Sequence, residues 1–269
     1  MHEEQERVRE QRRVETKQRK EQKRQERWDE TGYKSSKIVV SPEQKAKLVS
    51  KTADDDEEEK EQEEDEGHAL VYLNGDVTKP QLSREDEAAI IVNCVDNSGR
   101  WGSGGVFSAL DRLDAEIGRR YELASQMDDL SLGDVHLELV GGSGSLFVAN
   151  VVAQKRERDG SLSPVLLPEL EQALVLIACT ALDLHASVHL PRIGQRSPKF
   201  NWYRTERSLQ KTLAAHGIRT LVYYYSQAAR QNSSSSLGGG GGGNSSSSSQ
   251  PTKRVSSSQS MVDHSSMLL

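Results

Sequence analysis

The chain has only two cysteines in 269 residues, Cys94 and Cys179, too few for a disulfide framework and without the spacing of a metal site. One lies in a β-branched run and the other in an apolar helical pattern, which marks both as small buried hydrophobes in a reducing compartment. Long apolar runs are also missing. None approaches the roughly 20 residues that cross a bilayer, and the first residues are charged where a secretory signal needs an apolar core. The expectation is an intracellular, soluble protein with no membrane partner. No Gly-Lys-Ser/Thr phosphate loop occurs, so the chain holds no P-loop ATPase. The seven histidines lack metal-ligand spacing, and His136, His185, His189 and His216 read as structural. The formal net charge of −6 argues against a broad nucleic-acid-binding surface.

Hydrophobic residues make up 34% of the chain, low for a uniformly globular protein, and the deficit is localised. Three parts follow: a charged helical and acidic linker (1–66), a folded domain (67–226) and a flexible Ser/Gly-rich tail (227–269). From Met1 to Glu30 strong helix formers of mixed charge permit a solvated helix without a continuous apolar stripe. Its basic members, Arg12, Arg13, Lys20 and Arg24 among them, could instead touch DNA or an acidic protein surface. Ile38-Val39-Val40 is either a docking triplet or a chance cluster in disorder. The acidic run Asp54 to Glu66 repels itself and reads as an extended spacer.

Within the domain, strands and helices alternate. His68–Asn74, the run through Ile90-Ile91-Val92, Asp134–Val140, Leu146–Gln154, Ser187–Leu190 and Arg219–Tyr225 read as strands. Helices are expected after Gly105, over Tyr121–Leu130, over Pro164–Leu184 and over Phe200–His216, with Gly217 as the last one's stop. Such alternation predicts an α/β domain with a central sheet covered on both faces. Ligands of such sheets gather beyond the strand ends, and three loops there draw attention. Gly102, Gly104 and Gly105, between a strand and a helix beginning Val106-Phe107, are either a tight turn or a cradle whose amides close on a phosphate. Asp76, just past the first strand, either caps a turn or accepts from a base amino group. Arg192 and Arg196, in Pro191-Arg192-Ile193-Gly194-Gln195-Arg196, either face a pyrophosphate or are solvated.

Taken in order, Asn74-Gly75-Asp76-Val77-Thr78, Ile91-Val92-Asn93 with Gly102 to Val106, and Val188-His189-Leu190-Pro191-Arg192-Ile193-Gly194 resemble the binding motifs of macro domains. Asn93-Cys94-Val95-Asp96, Trp101-Gly102, Tyr121-Glu122-Leu123-Ala124 and Phe200-Asn201-Trp202-Tyr203 resemble the members attached to a chromatin-remodelling ATPase. The likeness implies a three-layer α/β/α fold with a mixed sheet and recognition of ADP-ribose, free or as units of poly(ADP-ribose). By the same resemblance Asp76 accepts from the adenine amino group with Gly75 and Val77 beside it. Gly102, Gly104, Gly105 and Val106 wrap the pyrophosphate from one side, and Arg192, Ile193, Gly194 and Gln195 come from the other. Asn93 faces the distal ribose, and Phe107 packs near it.

Hydrolytic macro domains often carry a second Asn where this chain has Asp96. A related hydrolase group places a catalytic Asp near the position of Pro198, which has no acid or base to offer. The resemblance therefore implies a binder with no catalytic residue, no metal and no cofactor beyond the ADP-ribose ligand. It further implies a nuclear module that brings its remodeller to poly(ADP-ribosyl)ated chromatin in the DNA damage response and rests on its own ATPase until the polymer competes. An ADP-ribosyl hydrolase, or a scaffold whose residues 1–51 hold the nucleosome, are the alternatives.

Overall fold

The computed structural model describes residues 2–54, 70–142, 144–193 and 201–225. The expectations placed on 55–66, on Gly194, Gln195, Arg196 and Pro198 and on the tail 227–269 lie outside the described residues.

The two longest apolar strands, β2 (Ala88–Asp96) and β4 (Leu146–Gln154), lie side by side and parallel inside a six-stranded sheet. Strands covered on both faces must bury consecutive side chains, and Ile90, Ile91 and Val92 all do so. The others are β1 (Val71–Asn74), β3 (Val135–Val140), β5 (Ala186–Pro191) and β6 (Thr220–Tyr224), in the spatial order β1-β6-β5-β2-β4-β3. All pairs are parallel except β3 with β4, an antiparallel hairpin at one edge.

Alternation along the strands divides the core. Ile90, Val92, Val188, Leu190 and Val222 face α5 (Leu167–Leu184) and α6 (Trp202–Thr212). Ile91, Val148, Leu221 and Tyr223 face α3 (Gly105–Leu113) and α4 (Glu116–Gln126). This is the three-layer α/β/α arrangement with a mixed sheet. The helical stretch after the glycine loop divides at Asp114, whose Oδ1 accepts from Glu116 N at 2.9 Å and opens α4. The Phe200–His216 stretch ends its regular helix at Thr212 and closes with a 3-10 turn, Ala214–His216.

The charged N-terminus is helical, α1 (His2–Thr31), and exposed over most of its length. Its last turns touch the domain: Trp28 Nε1 donates to Met127 O at 2.9 Å and Arg27 pairs with Asp128 at 2.7 Å. The chain then runs antiparallel along the free edge of β3. Ile38 N donates to Val135 O at 2.8 Å and Leu137 N to Ser36 O at 2.9 Å, so this strap pairs backbone groups that an open edge would leave exposed.

Ile38 and Val40 pack on the core whereas Val39 points to water, 89% exposed. Of the two possibilities weighed for this triplet, it is ordered and docked, on the domain of its own chain. A second linker helix, α2 (Pro42–Asp54), follows. Ser41 Oγ accepts from Gln44 N at 3.2 Å while Gln44 Oε1 accepts from Ser41 N at 3.1 Å, a reciprocal cap with Pro42 at the first helical position. Leu48 of α2 is 5% exposed and belongs to the same core cluster as the sheet.

Candidate functional site

The parallel strands bring their C-terminal ends to one rim. Gly75 N donates to Tyr224 O at 3.0 Å and Arg192 N to Tyr223 O at 3.3 Å, so the loops after β1 and β5 are both tied to the end of β6. On the other side of β5, β2 pairs Ile91 with His189 and carries Asn93 to the same rim. From β1 to β2 is three inter-strand spacings, about 14 Å. Gly75, Asp76, Val77, Asn93, the Gly102–Phe107 loop, Arg192 and Ile193 therefore border a single strip.

Asp76 sits at the head of a turn. Its Oδ1 accepts from Thr78 N at 3.0 Å and Thr78 Oγ1 at 2.7 Å, and its carbonyl accepts from Lys79 N at 3.0 Å. Turn capping uses one carboxylate oxygen, and no described residue donates to Oδ2. Of the two local roles open to this residue, the turn cap is the one observed. Val77 is buried against Tyr223 in the core on the α3/α4 side.

The glycine loop joins the end of β2 to the first turn of α3. Gly104 and Gly105 have φ of +74° and +53°, and a Cβ on either would meet nothing within 4 Å. Their left-handed backbone favours glycine, and the space beside them is open. Gly104 N donates to Ser108 Oγ at 3.0 Å, and α3 has no side-chain N-cap. The positive end of the helix dipole therefore faces the rim. Gly102 instead serves packing: a Cβ there would lie 2.5 Å from the Phe107 ring. That ring meets Trp101 edge-on at 4.9 Å, and Trp101 Nε1 is anchored on Asp111 at 2.7 Å.

Asn93 is 1% exposed and donates from Nδ2 to Asn150 Oδ1 at 3.0 Å. Asp96, at the end of β2, is also buried and already engaged. Its Oδ2 accepts from Arg156 at 2.7 Å, its Oδ1 from Ser98 N at 2.6 Å, and its carbonyl from Tyr121 at 2.5 Å. Burial, with the Asp96 charge beside it, pushes the Tyr121 hydroxyl's pKa up. Burial also pushes the Cys94 thiol up to about 12, so it carries no thiolate near neutral pH.

Arg192 lies 5.3 Å from the Trp202 ring and 5.6 Å from that of Tyr224, on the α5/α6 side of the sheet. Its guanidinium is held against aromatic faces, an arrangement neither of the two local possibilities included. Ile193 is buried in the core beneath it. A cleft of about 650 Å³ opens elsewhere, lined by Leu48, Val175, Arg204, Arg207 and His216 among others. None of the sequence-predicted site residues lines it; it is the groove left where α2 packs against α5 and α6. Among the described histidines, His136 Nε2 donates to Asp129 O at 2.9 Å, His216 Nε2 to Leu48 O at 3.0 Å, and His185 closes α5. Among the described residues no cluster has metal-ligand geometry, and no helix is long and apolar enough to cross a membrane.

Sequence pattern singled out neither Asn150 nor Arg156, which orient Asn93 and Asp96, nor Tyr223, which lies under Gly75 and Val77. Each acts across strands from a distant part of the chain, and only pairing register reveals that.

No family model matches the chain. Over 201 residues, 73% of the chain, it is 42% identical to chromodomain-helicase-DNA-binding protein 1-like of Mus musculus. Over 202 residues it is 42% identical to the Danio rerio protein of that name. These stretches cover 22% and 19% of the two relatives, so the chain spans about a fifth of their length. Among solved structures, a macrodomain protein from Streptomyces coelicolor matches with a TM-score of 0.50 at 28% identity, covering 59% of this chain and 100% of that one. A protein from Bacteroides thetaiotaomicron matches with a TM-score of 0.52 at 27% identity, covering 58% and 99%. With the α/β/α sandwich and the rim loops in place, these likenesses show that the chain belongs to the macrodomain family, in the form carried by chromodomain-helicase-DNA-binding protein 1-like proteins.

Proposed function

We propose that this chain is an ADP-ribose and poly(ADP-ribose) binding module. The observation that carries the reading is the rim itself. An acceptor oxygen of Asp76 without a described donor stands at one end, and an open, left-handed Gly104-Gly105 loop on a helix N-terminus stands about three strands away. That order suits an elongated ligand with a base amino group at one end and paired phosphates further along. In the bound state Asp76 Oδ2 accepts from the adenine amino group, the Gly102–Val106 amides and Ile193 to Gln195 hold the pyrophosphate from either side, and Asn93 faces the distal ribose with Phe107 close by. Arg192 backs that loop from its aromatic seat. No cofactor is needed for this role.

Binding without turnover is the better-supported form. A hydrolase needs a carboxylate or amide free to orient water, and Asp96 is committed to Arg156 and Ser98. Because the relatives are named for a chromodomain, a helicase and DNA binding, we also propose that the module is nuclear and brings a chromatin remodeller to poly(ADP-ribosyl)ated chromatin after DNA damage. Release from its own ATPase would follow if the polymer prefers the freed state, since a ligand that binds both states equally shifts nothing. Nucleosome contact through residues 1–51 is a separate proposal, favoured only by the exposed basic residues of α1.

Calorimetry of the full chain with ADP-ribose and with poly(ADP-ribose) tests the reading. Saturable heat with at least one is expected, together with no release of label from mono-ADP-ribosylated protein. Folded protein that gives no heat with either ligand overturns binding; release lost on Asp96→Ala overturns the absence of turnover.

A further inference from the structure

The loop that carries Asp76 is wound around one side chain. The Tyr223 ring lies under Gly75, where a Cβ would sit 3.7 Å from Cδ1, and packs with Val77 in one cluster. Its hydroxyl accepts from Gln81 N at 2.8 Å, and Arg219 Nη1 donates to Gln81 O at 2.9 Å. Tyr223 thus touches the loop at its start, its middle and its end.

The hydroxyl is itself held from behind. His189, 0% exposed, places Nδ1 at 3.0 Å from the Tyr223 oxygen and Nε2 at 2.9 Å from Ser187 Oγ. Along Gln81, Tyr223 and His189 only one assignment of protons gives every donor an acceptor. Gln81 N–H donates to the Tyr223 oxygen, Tyr223 O–H to His189 Nδ1 and His189 Nε2–H to Ser187 Oγ, while Ser187 O–H has both the Glu87 carboxylate and Ala88 O, at 3.4 Å, as acceptors. That chain requires a neutral imidazole. Burial, with Arg219 nearby and Glu87 only partly opposing, brings the pKa of His189 down to about 4, so neutrality holds at physiological pH. A fully satisfied buried network rigidifies what it touches.

We infer that Tyr223, backed by His189, is the positioning residue that fixes the Gly75–Gln81 loop and thereby sets how strictly the site reads the base end of its nucleotide. The inference rests on the reading of this rim as an ADP-ribose site. It assigns base discrimination to a hydroxyl that touches no ligand.

The test compares wild type, Tyr223→Phe and Gln81→Pro, which break the same bond from opposite ends, the second by removing the loop's N–H donor. Calorimetry of the full chain measures ADP-ribose and its hypoxanthine counterpart, which lacks the amino group. Loss of one hydrogen bond predicts an ADP-ribose affinity lower by about fivefold, with the hypoxanthine ligand affected less. The preference for adenine therefore shrinks. In combination with Asp76→Ala, Tyr223→Phe adds little further loss, because both act on the same contact. Wild type that binds and a variant that is folded with unchanged preference overturns this inference and leaves the ADP-ribose reading intact. Wild type that does not bind overturns both. If Tyr223→Phe fails to fold, Gln81→Pro carries the same expectations alone, and an unchanged preference in it overturns the inference. Additive losses in the double variant also overturn it.

Discussion

Two borders of the same sheet treat their polar groups in opposite ways. At the β3 edge, nearly everything polar is partnered within the chain. Asp129, 1% exposed, accepts from Tyr33 at 2.9 Å and Lys37 at 3.0 Å; Lys37 also meets Asp134 at 2.7 Å; His136 lies between Ser36 and Asp129 O. At the strand-end rim, Asp76 has an oxygen without a described donor, and Gly104 and Gly105 face open space. A buried polar group without a partner costs stability, so closed networks mark places whose work is to hold the fold. Polar groups left open at a solvent-facing rim cost little and remain available. The contrast makes the strap structural and leaves the rim's polar groups available.

The largest expected effect comes from breaking the closed border. Asp129→Ala leaves the Lys37 ammonium with one partner instead of two and takes from the Tyr33 hydroxyl its carboxylate acceptor, leaving it only Ser35. Removing one member of a buried ion pair costs about 3 kcal/mol, read as a lower denaturant midpoint of the full chain. ADP-ribose affinity in the remaining folded protein should be unchanged. A fall in affinity that matches the fall in stability would mean that the two borders are coupled, and the contrast would fail.

The open border should answer the other way. Gly104→Val places a β-branched residue at φ +74°, a conformation that costs of order 1–3 kcal/mol to hold, and fills space kept beside the helix N-terminus. Affinity for ADP-ribose should drop about tenfold or more with a smaller fall in stability than Asp129→Ala gives. Titration of both variants side by side measures the difference directly. Equal affinity in Gly104→Val and wild type would remove the glycine loop from the site.

How much of this was readable in advance depends on sequence separation. β2 and β4 are legible because their side chains are buried in succession, and the glycine loop because its residues are contiguous. Asp76 is legible for the same reason: its turn partners are Thr78 and Lys79. The strap and the bond behind the Asp76 loop are not, since Tyr33 and Asp129 stand 96 residues apart and Tyr223 and Gln81 142 apart. No local pattern announces a tertiary bond between a linker and a strand edge. α2 is a different kind of miss. Its Ser41-Pro42-Glu43-Gln44 cap carries a recognisable start signal, but charged neighbours on both sides give the stretch the composition of a linker. Charge composition described α1 well and hid the helix after it.

The smallest expected effect is the pH dependence of the closed border, and its sign follows from two groups. His136 has its pKa lowered, by burial above all, with Asp129 opposing. Its contribution to stability is full above the unfolded value of 6.5 and is lost as pH falls from there toward the folded value. Burial works against ionisation of Asp129, but hydrogen bonds from Ser35, Lys37 and Tyr33 outweigh it and hold the carboxyl below its ordinary 3.8. Its contribution is full above 3.8 and is lost as pH falls through the folded value. In both cases the unfolded chain binds more protons, so acidification weakens the strap in two steps, His136 first. Proteolytic release of α1 followed from pH 7.5 downward should begin to rise below about 6.5 in wild type. In His136→Gln, which keeps a polar side chain but cannot titrate, the first step should vanish. A first step that persists in that variant would place the acid sensitivity somewhere other than the β3 edge.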